Sequence, residues 1–73
     1  MTYRVVFTGP YVRKTHRVRA ANRIEALDKI LKPLRADIPS GVIRYLDAAA
    51  AYLESTATDG RKVTMAYAEA YEA

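Results

Sequence analysis

Residues 41–54 read GVIRYLDAAAAYLE, and their interpretation decides whether the chain has one helix or two. Apolar side chains recur there at the spacing of one helix face, at Val42, Leu46, Ala49 and Leu53. Four consecutive alanines also favour a helix, because alanine has the highest intrinsic helix propensity. We therefore predict a helix over residues 41–54, with Ser40 placed to cap its first turn.

An alternative interpretation makes residues 52–56 a strand. Asp59-Gly60 follows, and this pair is well suited to the tight turn of a β-hairpin. Residues 62–71 then alternate between two sets of side chains, which predicts a strand. The same residues would also align Val63, Tyr67 and Tyr71 on one side of a helix, although the strict alternation favours the strand.

Two strands are predicted before residue 21. Residues 2–8 are rich in β-branched and aromatic side chains and alternate along the chain, which is typical of a half-buried strand. Gly9-Pro10 marks a turn. A second alternating segment covers about residues 15–20, with a start as early as Tyr11 left open.

The turn between these strands allows two registers. A tight turn would pair Phe7 with Val12, whereas a wider loop over residues 9–14 would pair Val5 with Val18. We favour the wider loop because it keeps Lys14 out of the sheet. Both registers leave the same residues on each face.

A helix is predicted to begin at Asn22. Asparagine is a good N-cap, and Glu25 three residues later completes a capping-box arrangement. Apolar residues at helical spacing follow, at Ile24, Leu27, Ile30, Leu31 and Leu34. Pro33 removes a helical hydrogen bond and clashes with the preceding turn, so we expect the helix to end or kink near Leu31.

Together these elements predict an α+β fold with the order β-β-α-α-β, in one domain spanning residues 1–73. A small three-stranded antiparallel sheet would carry two helices on one face. The alternative order is β-β-α-β-β, with a C-terminal hairpin turning at Asp59-Gly60. The second face of the sheet lies open unless a partner covers it.

Composition limits the chemistry that the chain can perform. The 73 residues include no cysteine and a single histidine, His16, so no thiolate exists and a histidine-based metal site within one chain is excluded. Lack of cysteine fits a cytoplasmic location. The longest apolar run, residues 48–53, is far shorter than the ~20 residues of a membrane-spanning helix. We expect no metal, no cofactor and no membrane contact.

No pattern of catalytic residues is present either. No nucleophile accompanies His16, and no pair of carboxylates forms a recognisable acid–base couple. The three glycines, at positions 9, 41 and 60, fall at turns and not in a phosphate-binding loop. The sequence therefore predicts a protein that is not an enzyme.

The charged residues are unevenly distributed along the chain. Residues 1–35 hold nine basic and two acidic residues, a net charge of +7, whereas residues 36–73 hold three and six, a net charge of −3. Strand alternation places four arginines on the open side of the predicted sheet: Arg4, Arg13, Arg17 and Arg19. Lys14 and Tyr11, in the predicted loop, extend this surface.

Such a surface predicts an anionic partner, either a nucleic-acid backbone or an acidic protein. The guanidinium fork suits phosphates and carboxylates. Single-strand binders stack bases on exposed aromatic side chains. The outward positions of the predicted hairpin are Arg, Thr and Val, and the tyrosines fall on the other side of the strands or on the helices. We therefore expect no aromatic residues on the open side, and backbone contact to a duplex.

An alternative function is a protein-interaction module or a homo-oligomer that engages an acidic protein. Its interface would use the sheet edge and two tyrosines near the C-terminal end, Tyr67 and Tyr71. Tyrosine is favoured at interfaces because it combines apolar area with a polar tip.

Overall fold

The computed structural model describes residues 1–47 and 49–73 of the chain. Within these residues it has five strands and one helix: β1 (Thr2–Thr8), β2 (Arg13–Arg19), α1 (Arg23–Ala36), β3 (Val42–Asp47), β4 (Ala50–Thr56) and β5 (Lys62–Glu72). The strands form one antiparallel sheet in the order β2-β1-β5-β4-β3. Helix α1 packs against one face of this sheet.

The predicted three-stranded sheet with two helices is therefore wrong. Where the second helix was predicted, residues 42–47 form β3 and residues 50–54 belong to β4, and Ala48, part of that prediction, lies outside the described residues. The alternative prediction, β-β-α-β-β, is also wrong because it does not include the strand β3. Its turn at Asp59-Gly60 does connect β4 to β5, and Gly60 has the positive φ of 88° that glycine adopts without strain.

Alanines under α1 explain why helix propensity is overridden in this segment. Ala51, Ala68 and Ala70 are at most 1% exposed and lie in one cluster with Leu27 and Leu31 of α1. Small side chains let a helix approach the sheet closely, so the leucines fill the space between the layers. Helix propensities of ordinary residues differ by at most ~0.7 kcal/mol per residue, a weak preference that tertiary packing commonly overrides.

The hairpin of β1 and β2 adopts a register between the two predicted ones. Val5 lies opposite His16, and Phe7 lies opposite Lys14. The Gly9 N–H donates to the Val12 carbonyl at 2.8 Å, which closes a shorter loop than predicted. Lys14 is therefore part of the sheet. The observed register differs from each predicted one by two residues, so the assignment of side chains to faces is unchanged.

Helix α1 starts as predicted and ends later than predicted. The Asn22 side chain accepts a hydrogen bond from the Glu25 N–H at 2.8 Å. The helix continues past the exposed Pro33 to Ala36 and does not end near Leu31. Buried Leu31 anchors this part of the helix, and the Asp37 N–H donates to the Leu34 carbonyl at its end.

The sheet face away from α1 is called here the open face. Directly opposed residues on antiparallel strands share a face, and Tyr3 and Val5 are buried against α1, so Arg4 and its partners face the other way. The open face comprises Thr2, Arg4, Val6 and Thr8 of β1; Arg13, Thr15, Arg17 and Arg19 of β2; Lys62, Thr64, Tyr67, Glu69 and Tyr71 of β5; Ala50, Tyr52, Glu54 and Thr56 of β4; and Val42, Arg44 and Asp47 of β3.

Candidate functional site

The sheet register brings the four predicted arginines together on the open face. Arg4 and Arg17 lie directly opposite each other on β1 and β2, while Arg13 and Arg19 are opposite Thr8 and Thr2. All four side chains are exposed. They are called the arginine cluster below.

The arginine cluster is not neutralised by acidic side chains. In the part of the chain that the structure describes, none of the four forms an ion pair, whereas Arg44 pairs with Glu54 at 3.5 Å and Arg61 with Asp59 at 2.7 Å. Like charges directly opposite each other destabilise a sheet. Arg4 and Arg17 occupy such opposed positions, and the Arg4 guanidinium lies on the side of β5, 5.5 Å from the centre of the Tyr71 ring.

Edge protection explains only part of this cluster. Cationic side chains on an edge strand prevent pairing with another sheet, and β2 is an edge strand. Arg4 lies on β1, which is paired on both sides by β2 and β5. An arginine on an inner strand contributes nothing to the defence of the edge, so edge protection does not account for Arg4.

Three tyrosines share the open face with these arginines. Tyr67 of β5 lies directly opposite Tyr52 of β4, and Tyr71 lies opposite Arg4. The Arg4 guanidinium carbon is 5.5 Å from the centre of the Tyr71 ring, within the range of a cation–π contact. Tyr52, Tyr67 and Tyr71 are called the tyrosine cluster.

The expectation that the open side lacks aromatic residues is therefore wrong. It rested on the hairpin alone, whereas β5 pairs with β1 and adds its own side chains to the same face. The alternation of residues 62–71 already placed Tyr67 and Tyr71 on one side of a strand. Only the pairing of β5 with β1 decides that this side is the one that carries the arginines.

Two rows of side chains cross the open face from one strand to the next. One row contains Arg17, Arg4 and Tyr71, and the other contains Arg13, Thr8, Tyr67, Tyr52 and Arg44. Neighbouring strands are about 4.8 Å apart. In both rows a guanidinium group on β2 therefore lies two strands from a tyrosine ring on β5.

Glu69 lies between Tyr67 and Tyr71 on the open side of β5. The Tyr71 hydroxyl donates to Glu69 Oε2 at 2.9 Å, and this hydrogen bond is the main cause that raises the pKa of Tyr71 above its usual value. Burial raises the pKa of Tyr67, and the charges of Glu69 and Asp47 add to that effect. Both rings therefore stay neutral around pH 7.

The structure places Lys14 apart from the arginine cluster. Lys14 and His16 lie on the same face of the sheet as Phe7 of β1, and they line a groove of about 380 Å³. Apolar side chains of the hairpin and α1 form most of its remaining wall: Phe7, Val12, Ile30, Pro33 and Leu34. Lys14, predicted to extend the anion-binding surface, thus lies on the other face of the sheet. Tyr11, predicted to do the same, is fully exposed in the loop.

A second groove lies beside Tyr67. It has a volume of about 290 Å³ and is lined by Tyr67 together with residues of the β1 end and the β5 start: Thr8, Gly9, Pro10, Thr64, Met65 and Ala66. The pairing of β4 with β5 shifts register between Leu53 and Glu54, next to Met65. The Tyr67 ring therefore borders open space on the side toward the hairpin loop.

Neither a metal cluster nor a related protein gives a further indication. Among residues 1–47 and 49–73 the structure has no group of three or more histidine, aspartate or glutamate side chains placed to hold a metal ion. No helix in these ranges has the length and apolar character needed to cross a membrane. Comparisons with protein-family models, curated proteins and solved structures found no match to this chain.

Proposed function

We propose that this chain is a cytoplasmic, non-enzymatic binding protein that docks a nucleic-acid backbone on its arginine cluster. The observation that supports this most strongly is the opposed pair of Arg4 and Arg17, exposed and without an acidic partner in the described residues. A phosphate between two guanidinium groups would replace repulsion with charge-assisted hydrogen bonds.

Binding through these arginines would depend strongly on salt. Each phosphate that a cationic side chain neutralises releases condensed counterions, which lowers the logarithm of the affinity by about 0.7–0.9 per logarithmic unit of salt. Four contacts would give a slope of about −3. Nucleic-acid titrations between about 50 and 200 mM salt measure this slope directly.

Replacement of two arginines tests the site itself. The double variant Arg4→Gln with Arg17→Gln should bind nucleic acid more weakly, and the slope of its affinity against salt should be smaller in magnitude by about 1.4–1.8. A matched control, Arg35→Gln with Arg61→Gln, removes the same charge from exposed positions outside the open face and should retain most of the slope. Equal losses in the two double variants, or no binding by the parent protein at low salt, would exclude nucleic-acid docking at this site.

Stability separates a binding role from a structural one. Arg17→Gln alone removes one of the two opposed positive charges while Arg4 remains over Tyr71. We expect its free energy of unfolding to equal or exceed that of the parent protein, although its nucleic-acid affinity falls. A clear loss of stability would indicate that Arg17 serves the fold.

A second candidate function is self-association, which the exposed edge strand β3 favours. Its side chains Val42, Tyr45 and Leu46 are 41%, 45% and 59% exposed, a large apolar fraction for an edge. The opposite edge, β2, carries four cationic residues and would repel a copy of itself. An acidic protein partner is the other outcome if the arginine cluster binds an anion that is not a nucleic acid.

A further inference from the structure

We infer that the nucleic acid is single-stranded and that its bases stack on the tyrosine cluster, an inference that rests on the proposed function. The open face combines the two features that such binders use, a cationic track for the backbone and aromatic rings for the bases. Tyr67 and Tyr52 lie side by side at the centre of one row, and Arg13 and Arg44 lie at its ends.

The geometry separates backbone contacts from base contacts. The arginine cluster occupies β1 and β2, whereas the tyrosine cluster occupies the neighbouring strands β5 and β4. A strand laid along β1 would hold its phosphates against Arg4 and Arg17 and direct its bases toward Tyr67 and Tyr71. The groove beside Tyr67 offers space for a base next to that ring.

Glu69 reinforces this separation. Its carboxylate is on the open face of β5 between Tyr67 and Tyr71, opposite Val6 of β1. A carboxylate at this point repels phosphates from β5 and leaves the rings there for the uncharged bases. Asp47 and Glu54 of the neighbouring strands also lie on this face, and Glu54 forms an ion pair with Arg44. The four arginines of β1 and β2 outnumber Glu69 and Asp47, so the face as a whole remains attractive to an anionic chain.

A duplex uses only half of this surface. Its phosphates would reach the arginine cluster, but its bases are already paired and stacked inside the helix and present no free ring faces to tyrosine. An acidic protein would likewise use the arginines without requiring flat aromatic rings beside them. A cross-strand pair such as Tyr67 and Tyr52 also stabilises the sheet itself. The stacking inference therefore depends on the position of this pair on the same face as the arginine cluster.

Replacement of Tyr67 tests the inference. An oligonucleotide of about 16 nucleotides, the upper end of sites for small domains, is titrated as a single strand and as a duplex of the same sequence. Tyr67→Leu should weaken single-strand binding about 5- to 150-fold, the equivalent of one stacked base. Tyr67→Phe keeps the ring and should bind nearly as well as the parent protein.

A control on the other face separates a loss of stacking from a general loss of affinity. Tyr45 is as exposed as Tyr71 but lies on the side of the sheet that carries α1. Tyr45→Leu should leave single-strand binding unchanged, provided that circular dichroism shows both leucine variants to be folded. Quenching of tyrosine fluorescence by the single strand should be smaller in Tyr67→Phe than in Tyr45→Phe.

The outcomes distinguish this inference from the proposed function. In one outcome, the parent protein binds nucleic acid with a salt dependence that requires the arginines, but Tyr67→Leu binds as well as Tyr45→Leu. This outcome supports docking on the arginine cluster and excludes stacking on Tyr67. Preference for the duplex over the single strand also overturns the stacking inference. If neither form binds at low salt, the proposed function itself fails.

Discussion

Tyr45 of β3 donates a hydrogen bond from its hydroxyl to Oδ1 of Asp28 on α1. This contact ties the exposed end of the sheet to the helix. The hydrogen bond to Asp28 raises the pKa of Tyr45 to about 12, with smaller contributions from burial and from the charge of Asp28. The neutral phenol is therefore favoured in the folded protein over the unfolded chain.

The shift in pKa predicts how stability depends on pH at this residue. Between pH 10, the usual pKa of tyrosine, and about 12, the folded state retains a proton that the unfolded state has lost. Stability then falls as pH rises, because the folded state binds more protons. The contribution of Tyr45 is fully present below pH 10 and disappears as pH rises through about 12.

Comparison with Tyr45→Phe isolates this contribution from the other groups that titrate in alkali. The free energy of unfolding, measured by denaturant titration, should favour the parent protein below pH 10, and the difference should shrink above it. A difference that stays constant through this range would show that the hydroxyl of Tyr45 does not hold its proton through Asp28.

At the scale of elements, the contact of α1 with the sheet depends on small side chains. Ala68 of β5 is fully buried among Leu27 and Leu31 of the helix and Ala51 of β4. A larger side chain at this position would separate the helix from the sheet, because a packed interior has no free space for additional methylene groups.

Ala68→Leu should therefore destabilise the protein by about 1–3 kcal/mol, the usual cost of overpacking a core. Ala36→Leu adds the same atoms at the exposed end of α1 and should change the free energy of unfolding by less than about 0.5 kcal/mol. Denaturant unfolding measures both variants. Equal effects at the two positions would contradict close packing between helix and sheet.

At the scale of the whole molecule, the two edges of the sheet differ in charge. Edge β2 has the sequence RKTHRVR, whereas β3 has VIRYLD, with one basic and one acidic residue. Antiparallel pairing of two β3 strands would bring Arg44 of one copy toward Asp47 of the other. The axis of such a pair is perpendicular to the sheet, so both open faces would lie on the same side.

This asymmetry predicts a homodimer formed through β3. Sedimentation velocity should show a dimer that becomes more populated as protein concentration rises, and Val42→Lys with Leu46→Lys should abolish it by adding charge to the edge. Thr15→Lys adds charge to β2 and should leave the dimer intact. A monomer at every concentration, or equal loss of dimer in both variants, would exclude pairing through β3.

Local pattern was sufficient to predict the hairpin, the helix start and the last strand. Alternation over residues 2–8 and 62–71, together with the cap at Asn22, depends on neighbours in the chain, so it can be recognised without knowledge of the fold. The same alternation assigned Arg4, Arg13, Arg17 and Arg19 to one face of the hairpin. This assignment survives the corrected register because the difference is two residues.

Only the tertiary structure decided the state of residues 41–54 and the composition of the open face. Alanine has a high helix propensity, yet Ala50 and Ala51 lie in a strand because α1 packs on Ala51 of β4 together with Ala68 and Ala70 of β5. Likewise, the sequence shows that Tyr67 and Tyr71 lie on the same side of one strand. Their place beside the arginines follows from the pairing of β5 with β1. Both outcomes depend on contacts between distant residues, and local propensity carries no information about such contacts.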